Sequence, residues 1–232
     1  MRPAEGLLPE GEKQQVIETV KDIGGLVSMR KLSDGSESPY ELNTSFYDAM
    51  SRTFAGADAH HHERFICSQT IVMSLEGIPA FYIHAMLATP NDYDGVNRRG
   101  MKRAINRHRW NYPNLRKKLD DPTTSQARVM ADLSDRLLIR KKQVAFHPNA
   151  TQFTVNMGDD RVFGIWRQSV DRCQSIFALH NVNNTAVTIS TAALNLIEDQ
   201  HWVDLLSDTI IDPKASEIIV APYQCMWITN RC

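Results

Sequence analysis

The sequence predicts an α/β part followed by an all-β part. In the first part a helix-like segment precedes a short, wholly apolar run, and this alternation is the rhythm of an α/β barrel. From Ala145 onwards, short β-favouring runs alternate with Gly-Asp-Asp, Asn-Asn and Asp-Pro turns, which is typical of an antiparallel sheet. Between the two patterns, His147-Pro148-Asn149 interrupts the preceding helix. The predicted domains are therefore residues 1–147 and 148–232.

The α/β part begins with an amphipathic helix over residues 10–23. Its apolar side chains recur at helical spacing on a polar background, and Gly24-Gly25 supplies a stop. Residues 31–43 are rich in Ser, Gly, Asp and Pro, which favour turns. We expect a loop here, and a loop of this length within a compact domain is more often functional than accidental.

Next come a buried helix and a buried strand. Residues 64–75 form a mostly apolar stretch that ends at Gly77 and predicts the helix. The run 78–87 is apolar, aromatic and short, which favours a buried parallel strand. Residues 88–110 then form a polar loop at the carboxyl end of that strand, where barrels carry their active sites. A further helix is predicted over residues 123–142.

The all-β part contains seven predicted strands. They are residues 153–157, 162–166, 175–179, 186–189, 202–205, 217–220 and 226–229.

Composition describes an ordinary globular protein. The chain has 232 residues, of which 42% are hydrophobic, so it is long enough to bury a core. A net charge of -1, from 26 basic and 27 acidic side chains, gives no general attraction to nucleic acid or to an anionic membrane. We therefore expect neither as a partner.

Cysteine usage and hydropathy favour a cytoplasmic protein. The four cysteines are widely spaced and form no CxxC pair, so neither a zinc site nor a disulfide framework is expected. No apolar run approaches the roughly 20 residues that span a bilayer, and the N-terminus is unlike a signal peptide. No cofactor or metal is predicted. Three consecutive imidazoles at His60-His61-His62 cannot all point at one ion, and Asn91-Asp92-Tyr93-Asp94-Gly95 is interpreted as a turn.

Two stretches resemble a known family. They are SPYELNTSFYDAM, from Ser38, and LEGIPAFYIHAMLATPNDYDGVNRRGMKRAINRHRW, residues 75–110. They resemble the sucrose-phosphorylase-like branch of the alpha-amylase superfamily of glycoside hydrolases, and most of all its glucosylglycerate phosphorylase members. The resemblance extends to WVDLLSDTI and EIIVAPYQCMWIT, which look like the last strands of that superfamily's C-terminal domain. It implies the C-terminal portion of a (β/α)8 TIM barrel followed by an antiparallel β-sheet domain.

The resemblance also implies that the catalytic residues lie outside this chain. In the family, a His-Asp pair, the nucleophile Asp and the acid/base Glu precede the segment that resembles RPAEGLLPEGE. We therefore expect a C-terminal fragment of a retaining α-glucosyl phosphorylase that is inactive alone. Its partners would be an α-glucoside, phosphate, and a missing N-terminal half or a second copy. Two alternatives stay open: a non-catalytic carbohydrate-binding or structural fragment, and one chain of a split glycoside hydrolase.

Arg107 is the first candidate substrate-binding residue. A guanidinium offers planar donors that engage two neighbouring sugar hydroxyls or a carboxylate at once. The segment AINRHRW resembles the family segment whose Arg contacts the glucosyl unit in the donor subsite. The alternative is a solvated basic stretch, formed by Arg98, Arg99, Lys102, Arg103, Arg107 and Arg109.

Tyr40 and Glu41 are the candidates for the acceptor side. An aromatic face stacks on the apolar face of a pyranose, and an adjacent carboxylate accepts hydrogen bonds from hydroxyl groups. In the resemblance, Tyr-Gln occupies these places in sucrose phosphorylases, and Tyr-Glu in SPYELN is similar to the glucosylglycerate branch. The alternative is that Glu41 is an exposed loop acid.

Overall fold

The structure is a computed structural model, and it describes residues 6–230. The chain divides into two compact units, which we describe separately. One contains the residues up to 62 together with 81–130, and the other contains 63–80 together with the residues from 131 onwards. The domain boundary between residues 147 and 148 stays a prediction.

Short helices and two small hairpins precede residue 147. The helices are α1 (Glu10–Asp22), α2 (Phe46–Ala49), α3 (His61–Ser74), α4 (Ile83–Met86), α5 (Tyr93–Arg99), α6 (Tyr112–Asp120) and α7 (Ser125–Lys141), with 3-10 helices at Lys102–Asn106 and Val144–Phe146. The strands are β1 (Leu26–Lys31), β2 (Glu37–Asn43), β3 (Arg52–Thr53) and β4 (Gly56–Ala57). Among residues 6–230, no helix is long and apolar enough to cross a membrane.

The three helices that the sequence predicts are confirmed. They are α1, α3 and α7. Helix α3, which comes from a mostly apolar stretch, is buried on more than one face, because the four consecutive residues 64–67 are all buried. Phe65 and Met73 are completely buried.

The predicted loop over residues 31–43 is wrong, because these residues form most of a β-hairpin. Strands β1 and β2 pair antiparallel from Leu26 opposite Asn43 to Lys31 opposite Glu37. The turn-forming residues occupy only the tip of the hairpin. There the Asp34 carboxylate accepts the Ser36 N–H at 2.9 Å, and Gly35 has φ +83°, which glycine adopts without a steric cost.

The predicted buried strand over residues 78–87 is also wrong. Helix α4 occupies its second half, and Ile78 and Tyr82 are 83% and 55% exposed. A parallel strand needs neighbouring strands for its backbone hydrogen bonds, and every paired strand among residues 6–230 is antiparallel. The loop predicted over residues 88–110 likewise contains α5, which begins where the Asp92 side chain accepts the Gly95 N–H at 2.9 Å.

An antiparallel β region follows residue 150, and this prediction is confirmed. Its strands are β5 (Thr151–Val155), β6 (Val162–Gln168), β7 (Ser175–Asn181), β8 (Val187–Ser190), β9 (Trp202–Asp204), β10 (Thr209–Ile211), β11 (Glu217–Val220) and β12 (Cys225–Asn230). Six of them form one sheet in the order β10-β9-β12-β7-β6-β5, and β11 pairs with β8. Strand β10 was not predicted. Apolar side chains of both sheets, among them Leu179, Ile189 and Ile228, form the core.

A buried polar network connects α3 to the large sheet. The Ser74 hydroxyl lies 3.0 Å from His180 Nε2 and accepts the indole N–H of Trp227 at 2.9 Å. His180 Nδ1 lies 3.1 Å from the carbonyl oxygen of Phe163. Burial lowers the pKa of His180 to about 4. The imidazole is therefore neutral at neutral pH, with its proton on Nδ1 to donate to that carbonyl.

Candidate functional site

Tyr40 and Glu41 lie on β2, at an irregular point of the hairpin. The register shifts between Ser28, which pairs with Glu41, and Met29, which pairs with Pro39, so Tyr40 is the extra residue of a β-bulge. A bulge bends the strand and redirects a side chain out of the normal alternation. Tyr40 is accordingly exposed beside Glu41, on an ordered strand.

Glu41 forms an ion pair with Arg103, a residue that the sequence did not distinguish from its basic neighbours. Arg103 Nε donates to Glu41 Oε2 at 2.8 Å, and the two side chains are 53% and 32% exposed. The hydrogen bond that Arg103 donates to Glu41, followed by the negative charge of Glu41, raises the pKa of Arg103, and Tyr40 contributes in the same direction.

Arg107 follows the 3-10 helix that carries Arg103. Its N–H donates to the Ala104 carbonyl at 3.0 Å and its side chain is exposed. The 3-10 helix packs on both strands of the hairpin, and Lys102 Nζ donates to the Val27 carbonyl at 2.7 Å. The structure thus brings the segment before Arg107 against the hairpin of Tyr40 and Glu41, although the side chain that reaches Glu41 is that of Arg103.

A cluster of five polar and aromatic side chains holds the residues after Arg107, and we call it the histidine cluster. Asp92 Oδ2 lies 3.3 Å from His108 Nδ1, and the His108 ring meets Trp110 edge-on with centroids 4.6 Å apart. Trp110 donates its indole N–H to the Thr89 hydroxyl at 3.0 Å. That hydroxyl lies 3.1 Å from His84 Nδ1.

The histidine cluster contains one imidazole that is held neutral. Burial, followed by the charge on His108, lowers the pKa of His84. A neutral His84 accepts the Thr89 hydroxyl proton at Nδ1, while Thr89 accepts the Trp110 indole N–H. Because every link between His84 and Trp110 is thereby satisfied, the segment that carries Arg107 has a fixed support.

Sequence reasoning missed this cluster. His84 lies within the run 78–87 that the sequence predicts as a strand, and Asp92 within the segment 91–95 that is interpreted as a turn. The sequence signal was the position of His108 and Trp110 directly after Arg107. It places two ring side chains next to the residue that is predicted to bind sugar.

Buried hydrogen bonds also fix the base of the hairpin. Asn91 Oδ1 accepts the Ser45 N–H at 2.7 Å, and the backbone N–H of Asn91 donates to Asp48 Oδ2 at 2.7 Å. Burial raises the pKa of Asp48, and this hydrogen bond opposes the shift. The Asp92 N–H donates to the Ile105 carbonyl at 2.7 Å. The residues after β2 and the 3-10 helix are therefore tied to one segment, 91–92.

The arrangement offers binding groups for a polyol. It combines the exposed ring of Tyr40, the ion pair of Glu41 and Arg103, and the exposed guanidinium of Arg107. Such groups stack on a sugar ring, accept hydroxyl hydrogen bonds and donate to oxygen atoms. Among residues 6–230, no three His, Cys, Asp or Glu side chains converge as a metal site.

Comparison with known proteins gives three close sequence relatives. The chain is 34% identical to the glucosylglycerate phosphorylase of Escherichia coli K12 and 32% identical to that of Spirochaeta thermophila, each over 98% of this chain. It is 31% identical to that of Allomeiothermus silvanus, again over 98% of its length. The chain spans 38–40% of the length of these relatives. No family model matches it.

Solved structures show the same fold. Sucrose 6F-phosphate phosphorylase from Thermoanaerobacter thermosaccharolyticum superposes with a TM-score of 0.63 at 17% identity, over 94% of this chain and 37% of that one. The alpha-amylase of Geobacillus thermoleovorans superposes with a TM-score of 0.54 at 14% identity, over 74% and 34% of the two chains. At these identities the likeness concerns the fold alone.

Proposed function

The chain is homologous, along nearly its whole length, to the glucosylglycerate phosphorylases, and we propose that it forms the C-terminal part of a retaining α-glucosyl phosphorylase. The observation that carries this proposal is the 31–34% identity over 98% of the chain. In the complete enzyme, residues 1–147 would belong to a catalytic (β/α)8 barrel and residues 148–232 to its C-terminal β domain. The cytoplasm is the proposed location, supported by free, buried thiols at Cys67 and Cys225.

The proposed reaction is a double displacement at an α-glucoside. A carboxylate attacks the anomeric carbon while an acid protonates the leaving oxygen, and a covalent glucosyl-enzyme forms. Phosphate oxygen then attacks the same carbon, the carboxylate leaves, and α-glucose 1-phosphate is released. We assign the nucleophile and the acid/base to the part of the enzyme that lies outside this chain.

Binding roles are proposed for four side chains of this chain. Arg107 would hold the glucosyl unit in the donor subsite, and Tyr40 and Glu41 would line the acceptor subsite. Arg103 is added because it is ion-paired with Glu41. Glucosylglycerate carries a carboxylate, which an unpaired Glu41 would repel, whereas a guanidinium that Glu41 orients binds a carboxylate through two parallel hydrogen bonds.

A separate polypeptide is a second candidate for completing the enzyme. Tyr82 and Ile83 are exposed within an apolar run, at 55% and 53%. A run of this composition is normally buried. Its exposure fits cover by an N-terminal half of the same protein and by a separate chain alike.

The first test uses a completed enzyme, made by co-expressing this chain with the N-terminal segment of the E. coli relative. Phosphorolysis of glucosylglycerate should appear in the mixture and in neither part alone. Arg107→Ala should reduce kcat/KM roughly tenfold to a hundredfold for every glucosyl donor, because a charged hydrogen bond contributes about 1.5–3 kcal/mol. Arg109→Ala, an exposed neighbour, should leave it unchanged. Equal losses of kcat/KM in the two variants would show that Arg107 is a solvated basic residue with no specific role in donor binding.

The second test concerns the acceptor. Glu41→Gln keeps shape and hydrogen-bonding reach but removes the charge that holds Arg103, and Arg103→Ala removes the guanidinium. Both should lower the ratio of activity on glucosylglycerate to activity on sucrose, with donor binding spared. If both variants keep the wild-type ratio, the ion pair of Glu41 and Arg103 does not belong to the acceptor subsite.

A further inference from the structure

A cavity of about 650 Å³ opens on the large antiparallel sheet of the second unit. A row of aromatic side chains from four strands of this sheet lines it: Phe153 on β5, Trp166 on β6 and Phe177 on β7, which are neighbouring strands, and Trp202 on β9, with β12 between β7 and β9. The row follows the strand register, because Phe153 pairs with Trp166 and Trp166 pairs with Phe177. Successive ring centroids lie 5.1, 6.0 and 5.8 Å apart.

Exposure increases along this row towards the edge of the sheet. Trp202 and Phe177 are buried in the core, Trp166 is half-buried, and Phe153 is 48% exposed on the edge strand β5. Phe153 stacks on Trp166 through one face of its ring, at an interplanar angle of 30°. The row therefore presents aromatic surface to solvent at the mouth of the cavity. The hydrophobic effect alone disfavours a large exposed ring at this position.

The rim of the cavity is polar. Gln168, Arg172, Asn195 and Gln200 are among the residues that line it, and none of the lining residues within 6–230 is Asp or Glu. Each amide has both donor and acceptor groups, which matches the mixed donor and acceptor character of hydroxyl groups. Among the described lining residues, Arg172 carries the only formal charge, which disfavours a cation and is weak compensation for a phosphate dianion.

We propose that this cavity is a second saccharide site, which binds an uncharged mono- or disaccharide. The aromatic row takes the apolar face of a pyranose, and the amides take its hydroxyl groups. Small-ligand sites commonly measure about 300–1,000 Å³ and combine an apolar lining with a few polar groups, and this cavity fits that description. The proposal is one of binding alone, since the described lining residues include no Asp or Glu, the residues that ordinarily cleave glycosides.

Titration of the intact chain with methyl α-glucopyranoside and with maltose tests the proposal. Binding is followed by tryptophan fluorescence, which Trp166 reports, and by saturation-transfer NMR. Saturable, millimolar binding is expected. Phe153→Ala should weaken it about fivefold, the size of one aromatic contact. The control is Phe54→Ala, which removes an exposed ring outside the cavity and should leave binding unchanged.

Further variants separate this site from the proposed donor subsite. Arg107→Ala should bind both sugars as the wild type does. Gln168→Ala should weaken binding, and it decides the question if thermal unfolding shows that Phe153→Ala is misfolded. The proposal is overturned by absence of saturation up to about 50 mM sugar, by equal losses in Phe153→Ala and Phe54→Ala, by tighter binding of glucose 1-phosphate, or by binding that only Arg107→Ala removes.

Discussion

Acidification should destabilise this protein through His180, whose imidazole is completely buried between α3 and the sheet. Burial lowers the pKa of His180 to about 4, against about 6.5 in the unfolded chain. When pH falls, the unfolded state therefore binds a proton first, so stability is complete above about pH 6.5 and is lost as pH falls towards 4. Between about pH 7.5 and pH 5 these values give a loss of about 2 kcal/mol from this residue alone.

The assay is urea unfolding, followed by tryptophan fluorescence, at both pH values. His180→Gln removes the titrating group. Between the two pH values its free energy of unfolding should therefore fall by about 2 kcal/mol less than that of the wild type. His201→Gln, in an exposed position, should keep the wild-type loss. His84, whose pKa is also lowered, contributes the same pH-dependent loss of stability to all three proteins. Its contribution therefore cancels when their losses are compared. The same loss in His180→Gln and the wild type would refute the reasoning.

The remaining predictions concern stability and activity. Asp92→Ala should lower the free energy of unfolding by about 1–2 kcal/mol, because it removes the cap of α5 and the carboxylate that contacts His108. The control is Asp94→Ala, at an exposed position of the same helix. Asn181→Ala should cost about 1–3 kcal/mol, since its buried amide donates to three carbonyl groups, whereas exposed Asn184→Ala should be neutral in the same urea titration. The chain alone should release neither glucose nor glucose 1-phosphate from glucosylglycerate, and turnover of about one per second or more would place catalytic residues within it.

The histidine cluster explains why Arg107 depends on residues far from it in sequence. Asp92 both caps α5 and contacts His108, and Trp110 is fixed through Thr89. A guanidinium binds a sugar specifically only when its backbone is held in one geometry. In a completed enzyme, damage to the cluster would therefore reach the proposed donor subsite indirectly.

Local patterns determined the helices α1, α3 and α7 and most strands of the β region. Their side-chain periodicities of 3.6 and 2 describe which residues share a face, and that information is contained in a short segment. The family resemblance is confirmed by relatives that are 31–34% identical over 98% of the chain.

Only the tertiary structure decided the partners of the site residues. The hairpin of Tyr40 and Glu41 was predicted as a loop, because Ser, Pro and Asp favour turns locally while cross-strand hydrogen bonds to β1 outweigh that preference. Selection of Arg103 as the partner of Glu41, from a run of equivalent basic residues, depends on the packing of the 3-10 helix on the hairpin. The apolar run at residues 78–87 shows the converse: its composition favours a strand, but a strand forms only where another strand accepts its backbone hydrogen bonds.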